Sequence, residues 1–219
     1  MKIILVEGIT DVNLVRYIYS KISSEYHFND FVAPRGRTNL KVVTFENKKH
    51  HKLQIINLKG QDNLTDTLKL ILKPREAVIS KIGILIDADQ DFQQSENEVK
   101  EAILSSTIDI KKISYFLTPN NKDLGNLETL LLSSLAKTDI PQLQCFEEYK
   151  KCLTESILDI EKRAIDKHEV EAYIKFSQKP RNRNQAQFSF FDNVGDTGLW
   201  DLSKKEFQPL IKFVESIFN

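Results

Sequence analysis

In the stretch ILIDADQDF (84–92), a run of apolar residues leads straight into Asp87, Asp89 and Asp91, alternating along the chain. A second acid, Glu7, ends another apolar run, KIILVE (2–7). Carboxylates are poor strand residues, so their place at the ends of the most apolar segments needs a reason. In open parallel sheets ligands bind beyond the carboxyl ends of the strands. Glu7, Asp87 and Asp89 would meet there from two different strands, and such a group repels itself and raises its own pKa values. A divalent cation removes that cost, and an all-oxygen donor set suits Mg²⁺ or Mn²⁺. The plainer alternatives are a solvated strand end for the aspartates, and for Glu7 a favourable position beside the N-terminus of the next helix.

Elements able to hold those acids follow one another in order. KIILVE reads as a short buried strand, and TDVNLVRYIYSKI as a helix capped by Thr10 or Asp11, with Val12, Val15, Ile18 and Ile22 on one face. LKVVTFE (40–46) is a possible strand or hairpin arm, and KLQIINL (52–58) a second core strand ending near Gly60. NLTDTLKLIL has helical spacing at Leu64, Leu68 and Leu72, and Pro74 is expected to close it. KIGILID (81–87), a helix over SENEVKEAILSS (95–106) and a strand over KISYFLTP (112–119) complete the alternation. This order predicts an α/β, Rossmann-like, mainly parallel sheet flanked by helices, over residues 1–125. Residues 126–219 are expected to be a mostly helical extension packed on it, interrupted by a loop at QKPRNRNQAQFSFFDNVGDTG (178–198) and ended by a helix in SKKEFQPLIKFVESIF (203–218).

Composition narrows the partners. The 219 residues carry 31 basic and 31 acidic side chains, so net charge alone does not announce a nucleic-acid binder. The basic residues gather locally, at PRGRTNLK with NKKHHK (34–52) and at KPRNRNQ (179–185), which makes Arg35, Arg37, Arg181 and Arg183 candidate phosphate contacts. No apolar run approaches the roughly 18 residues of a membrane span. The four apolar residues after Lys2 are too few for a signal-peptide core, so a cytoplasmic location without membrane partners is expected. Cys145 and Cys152, seven apart on one helical face, do not form a disulfide framework and read as buried or bystander thiols.

The pair ILVEGITDVNLV and ILIDADQD resembles the Toprim domain of primases, topoisomerases and overcoming-lysogenization-defect nucleases, over about the first 120 residues. With NLKGQDNL between them and LTPNNKDLGNLETLLL after them, the chain looks still more like the small stand-alone Toprim-like proteins of the DUF3226 group. The resemblance implies Glu7 as the Toprim glutamate, a general acid or base, and Asp87 and Asp89 as Mg²⁺ ligands. It places Asp11 on the acidic position that follows the glutamate, Gly8 where the backbone turns beneath the site, and Glu128 as an additional site acid. Asp91 belongs at the margin of this set, as an outer ligand-side or helix-approach residue.

The chain also departs from those families. It lacks a topoisomerase tyrosine domain, the zinc-binding and polymerase parts of a primase, and the G-x-x-x-x-G-K-[ST] motif of the ATPase fused to many related nucleases. An ATPase partner acting in trans is therefore considered. A haloacid-dehalogenase phosphatase also uses DxD, but on the first strand, where Glu7 stands here. Asp123 reads as a turn residue, His50 and His51 as solvated, and Trp200, Phe207, Ile211, Phe213, Val214 and Ile217 as packing. FSFF (188–191) reads as a buried strand. The expected function is a Mg²⁺-dependent enzyme acting on phosphodiester bonds of DNA or RNA, a nuclease. The rival is a non-catalytic module binding metal, nucleotide or a partner protein.

Overall fold

Isoleucine, leucine and valine fill β1 (Lys2–Val6), and β-branched chains on a pleated surface leave both of its faces apolar, which commits it to the middle of a sheet. The structure is a computed structural model that describes residues 1–23, 31–32, 46–47, 53–156, 162–177 and 198–218. In chain order after β1 come α1 (Ile9–Ile22), β2 (Phe31–Val32), β3 (Glu46–Asn47) and β4 (Leu53–Asn57). A mixed helical passage follows, then β5 (Lys81–Asp87), α3 (Phe92–Ser106) and β6 (Ile113–Thr118). The remaining helices are α4 (Leu127–Ser133), α5 (Pro141–Ser156), α6 (Lys162–Ser177) and α7 (Gln208–Phe218).

The four long strands lie in the order β4-β1-β5-β6, all parallel, with Ile4 opposite both Ile55 and Gly83, and Asp87 opposite Thr118. The pair β2 and β3 forms a separate antiparallel ribbon. The fold is thus the α/β parallel sheet expected from the alternation of elements, flanked by helices, with a helical C-terminal part.

Side-chain parity divides the core in two. Ile4, Val6 and Leu85 point to the face covered by α1, α4, α6 and α7, among Val12, Leu130, Tyr173 and Phe213. Ile3, Leu5, Ile82, Ile84 and Ile86 point to the opposite face, among Leu64, Leu68, Leu72 and Val99. On the first face α7 comes unusually near the sheet because Gly83 has no side chain. A Cβ there would stand 2.8 Å from Ile217 Cγ1 and 3.2 Å from the Phe213 ring. The ends of the chain are also joined, Lys2 Nζ donating to the Phe218 carbonyl at 2.9 Å.

Several local expectations are corrected. Helix α1 is capped by Gly8, not Thr10 or Asp11, and Asp11 instead sits at the third helical position, accepting from the Gly8 amide at 2.9 Å. Leu64, Leu68 and Leu72 are buried as their spacing requires, but the passage is not one α-helix. It runs through a 3₁₀ turn (Gln61–Asn63), α2 (Leu64–Asp66), a π-helical stretch (Thr67–Leu72) and a second 3₁₀ segment (Lys73–Val78). Pro74 does not end the helical passage: it falls in the first turn of that last segment, where proline's fixed φ suits a helical start. Helix α3 begins three residues early, at Phe92. Cys145 and Cys152 lie on α5 and are exposed, not buried. Gly8 is in extended backbone (φ −133°), so the turn does not demand glycine; a Cβ there would crowd the Asp11 carboxylate at 3.3 Å.

Candidate functional site

The chain reverses direction across the sheet between β1 and β5: α1 leads from β1 to β4 on one side, and the mixed helical passage then crosses to β5 on the other. The crevice at such a switch point is where open α/β sheets bind ligands. Glu7 follows the last residue of β1 and Asp87 is the last residue of β5, so the two acids flank that crevice. The Asp87 amide donates to Glu7 Oε2 over a long 3.4 Å.

Strand parity aims Asp87 further. It shares the face of Gly83 and Leu85, the face covered by α1, and there it comes under the field of Asp11. Its Oδ1 accepts the amide of Leu127 at 3.0 Å and the hydroxyl of Thr118, its partner in register on β6. Glu128 stands in the first turn of α4, which Asn126 caps by accepting the Thr129 amide at 3.0 Å. Four acids from β1, α1, β5 and α4 are brought together in this way.

Their proximity shows in proton affinity. Burial, followed by the charges of Glu7 and Glu128, pushes Asp11 up to about 7 against the opposing pull of the Gly8 amide. Burial also holds Asp87 well above the ordinary carboxylate range, reinforced by Asp11, Glu7 and Glu128 and partly offset by the Thr118 hydroxyl. Asp87 is 8 % exposed and Asp11 9 %. Among the described residues, no set of three or more His, Cys, Asp or Glu side chains is arranged, as it stands, to hold a metal ion. The two observations differ in reach: charges act on one another over several ångströms, whereas an ion's ligands must all lie within about 2.6 Å of it. The acids therefore share a field without yet sharing a coordination sphere.

The other predicted residues separate. Asp89 does not continue the alternation from Asp87, because the chain turns into the left-handed region there (φ 50°). Its backbone is pinned in a two-bond bridge to Gly125, at 2.7 and 2.9 Å. Asp91 is exposed and caps α3, Oδ1 accepting the Gln94 amide at 3.0 Å. That role explains its place without a ligand. Asp123 accepts from Asn120 Nδ2 at 2.8 Å, as a turn residue would. Arg35, Arg37, Arg181 and Arg183, with His50, His51 and FSFF, lie outside the described residues.

Thr118 and the Leu127 amide were not apparent from the sequence. The only hint of Thr118 was a hydroxyl residue ending an apolar strand just before a proline, and an amide leaves no mark in a sequence. Among the described residues no helix is long and apolar enough to cross a membrane. No curated protein and no solved structure matches the chain. The model of the family described as a protein of unknown function, DUF3226, matches residues 1–219, and the chain belongs to that family.

Proposed function

We propose that the protein is a Toprim-like, divalent-metal-dependent enzyme that hydrolyses phosphodiester bonds in DNA or RNA. The observation that carries this reading is the raised proton affinity of Asp11 and Asp87, each pushed up by burial and by Glu7 and Glu128, where four separate elements deliver acids to one switch point. Uncompensated, that arrangement costs folding energy, and a hard cation is the simplest ligand that offsets it. The donor set is all oxygen, which fits Mg²⁺ or Mn²⁺. Asp87, with Asp11 and Glu128, would hold the ion, Asp89 would join them from the left-handed turn that follows β5, and Asp91 would remain a helix cap. A divalent ion at such a site neutralises charge on a phosphate and acidifies a water molecule.

Glu7 moves the proton in this reading. It stands across the crevice from Asp87, whose amide its carboxylate accepts, and its own carbonyl accepts the Gly60 amide at 3.1 Å. Thr118 and the Leu127 amide orient the Asp87 carboxylate. Arg35, Arg37, Arg181 and Arg183 remain the proposed phosphate contacts, and an ATPase acting in trans the proposed accessory.

The test is cleavage of single- and double-stranded DNA and RNA by the purified chain with Mn²⁺ or Mg²⁺. Glu7→Gln is expected to abolish cleavage, with a loss of about 10²–10⁴ in rate, and to retain metal binding. Among the described residues no coordination sphere is formed, which favours a second reading, a metal- or partner-binding module without catalysis. Metal binding with no cleavage, alone or with co-purifying ATPase, would select it.

A further inference from the structure

A cavity of about 180 Å³ opens between the turn after β5, the turn before α4, and α6. Asp89, Gln90, Leu124, Asn126, Thr129 and Asp166 line it. It borders the acidic centre through Asp89, two residues beyond Asp87. Asp166 comes from α6, far along the chain, and is only 6 % exposed. Its Oδ2 accepts the Thr129 hydroxyl at 2.9 Å, and that hydroxyl lies 3.0 Å from Asn126 Oδ1 as well. The cap of α4 thereby fixes the carboxylate at the cavity wall. The rim carries Leu124, an apolar side chain 52 % exposed. Gly125 keeps the turn close to α4: its φ is 140°, and a Cβ would meet Thr129 Oγ1 at 3.0 Å and Pro119 at 3.1 Å.

Two carboxylates, two amide side chains and an apolar rim select a particular kind of occupant. They repel phosphates and carboxylates. They favour a flat, donor-rich group with an apolar face, and a nucleobase bearing an exocyclic amino group is one. A bare ion is a poorer match, since Asp166 is the one carboxylate of the lining that remains once Asp89 serves the ion at the acidic centre. We propose that the cavity reads the base beside the scissile phosphate, an unpaired base whose amino group donates to Asp166 while Leu124 covers its ring. This inference rests on the phosphodiester reading above, and it gives the C-terminal helices a role in substrate choice.

The test uses the full chain in two arms. The first measures cleavage of oligo-dA, oligo-dC and oligo-dT with Mn²⁺. The second measures binding of adenosine, cytidine and thymidine without metal, by ligand-observed NMR. Oligo-dT, whose base has no amino group, is expected to be cut about tenfold more slowly than the better of the other two. Asp166→Asn keeps an acceptor for Thr129 and should erase that bias with the melting temperature little changed. Leu124→Ala, at the exposed rim, should raise KM on all three substrates and leave kcat alone. Equal cleavage of the three, or a bias that survives Asp166→Asn, overturns the base-reading role and leaves the phosphodiester reading standing. If nothing is cleaved, that reading fails and the nucleoside arm decides the cavity by itself. Adenosine or cytidine binding that is lost in Asp166→Asn supports it. Binding of no nucleoside, or of thymidine equally well, overturns it, as does Mn²⁺ bound at Asp166.

Discussion

Thr118 and Asp87 face each other in register on adjacent parallel strands, and the Thr118 hydroxyl donates to the Asp87 carboxylate. The bond favours the charged form of Asp87 against burial and against three neighbouring acids. Thr118→Val keeps the shape and removes the donor. It should raise the proton affinity of Asp87 further and weaken Mn²⁺ binding, more severely at pH 6 than at pH 8, where protons compete less. Titration calorimetry at the two pH values measures this, and an equal loss at both would contradict it.

Stability without metal should fall as pH rises. Asp11 is held near 7 in the folded chain against an ordinary 3.8, so the native state binds more protons than the unfolded one between those values. Its favourable contribution is complete below pH 4 and is lost as pH climbs through 7. Each pKa unit is worth about 1.4 kcal/mol. In EDTA, Asp11→Asn should therefore raise the melting temperature at pH 8 by about 5 °C or more, with little effect at pH 4. A variant that melts lower than the parent at pH 8 would refute the repulsion.

Divalent ions should reverse the same penalty. Mg²⁺ or Mn²⁺ is expected to raise the melting temperature at pH 8 in proportion to occupancy. In Asp87→Asn the metal-free protein should melt no lower than the parent, and the response to metal should vanish. Persistence of the full response would place the ion elsewhere.

Asp91→Ala separates cap from ligand. Loss of the Gln94 bond at the start of α3 should cost about 0.5–2 kcal/mol, while the thermal response to Mn²⁺ stays intact. Loss of the metal response would return Asp91 to the ligand set.

Gly83→Ala should destabilise by about 1–3 kcal/mol, since the added methyl collides with Ile217. Combined with Ile217→Ala, which empties that space, the two losses should sum to less than their separate values in denaturant titrations.

How much of this was legible in the sequence depended on the range of the interaction concerned. Apolar strands ending in Glu7 and Asp87 could be read directly, because burial of whole strands and the rule for ligand placement need only the order of elements. Asp11 and Glu128 came from the family resemblance, since no local pattern draws a first-turn acid of one helix toward that of another. Alternation from Asp87 to Asp89 holds only while the backbone stays extended; the left-handed turn at Asp89 is bridged to Gly125, thirty-six residues later. Gly8 gives no cap signal in the sequence because it has no side chain to donate or accept. Asp166 was invisible because its partner Thr129 lies 37 residues away.

The approach of α7 to Gly83 has a consequence for the order of folding. One half of the core, between the sheet and α1, closes only when residues 216 apart in sequence meet, as Lys2 and Phe218 do. Contacts of such separation incur their loop-closure entropy before any burial rewards them, so they form slowly and late. Helix α1, which carries Asp11, packs directly against α7. Early folding species should accordingly contain β1, β5 and the α3 side of the sheet, with Asp11 still in water at its ordinary proton affinity. The charge repulsion of the site would then act as a brake on the final step alone, making folding slower at alkaline pH than at acid pH and faster again when a divalent ion is present.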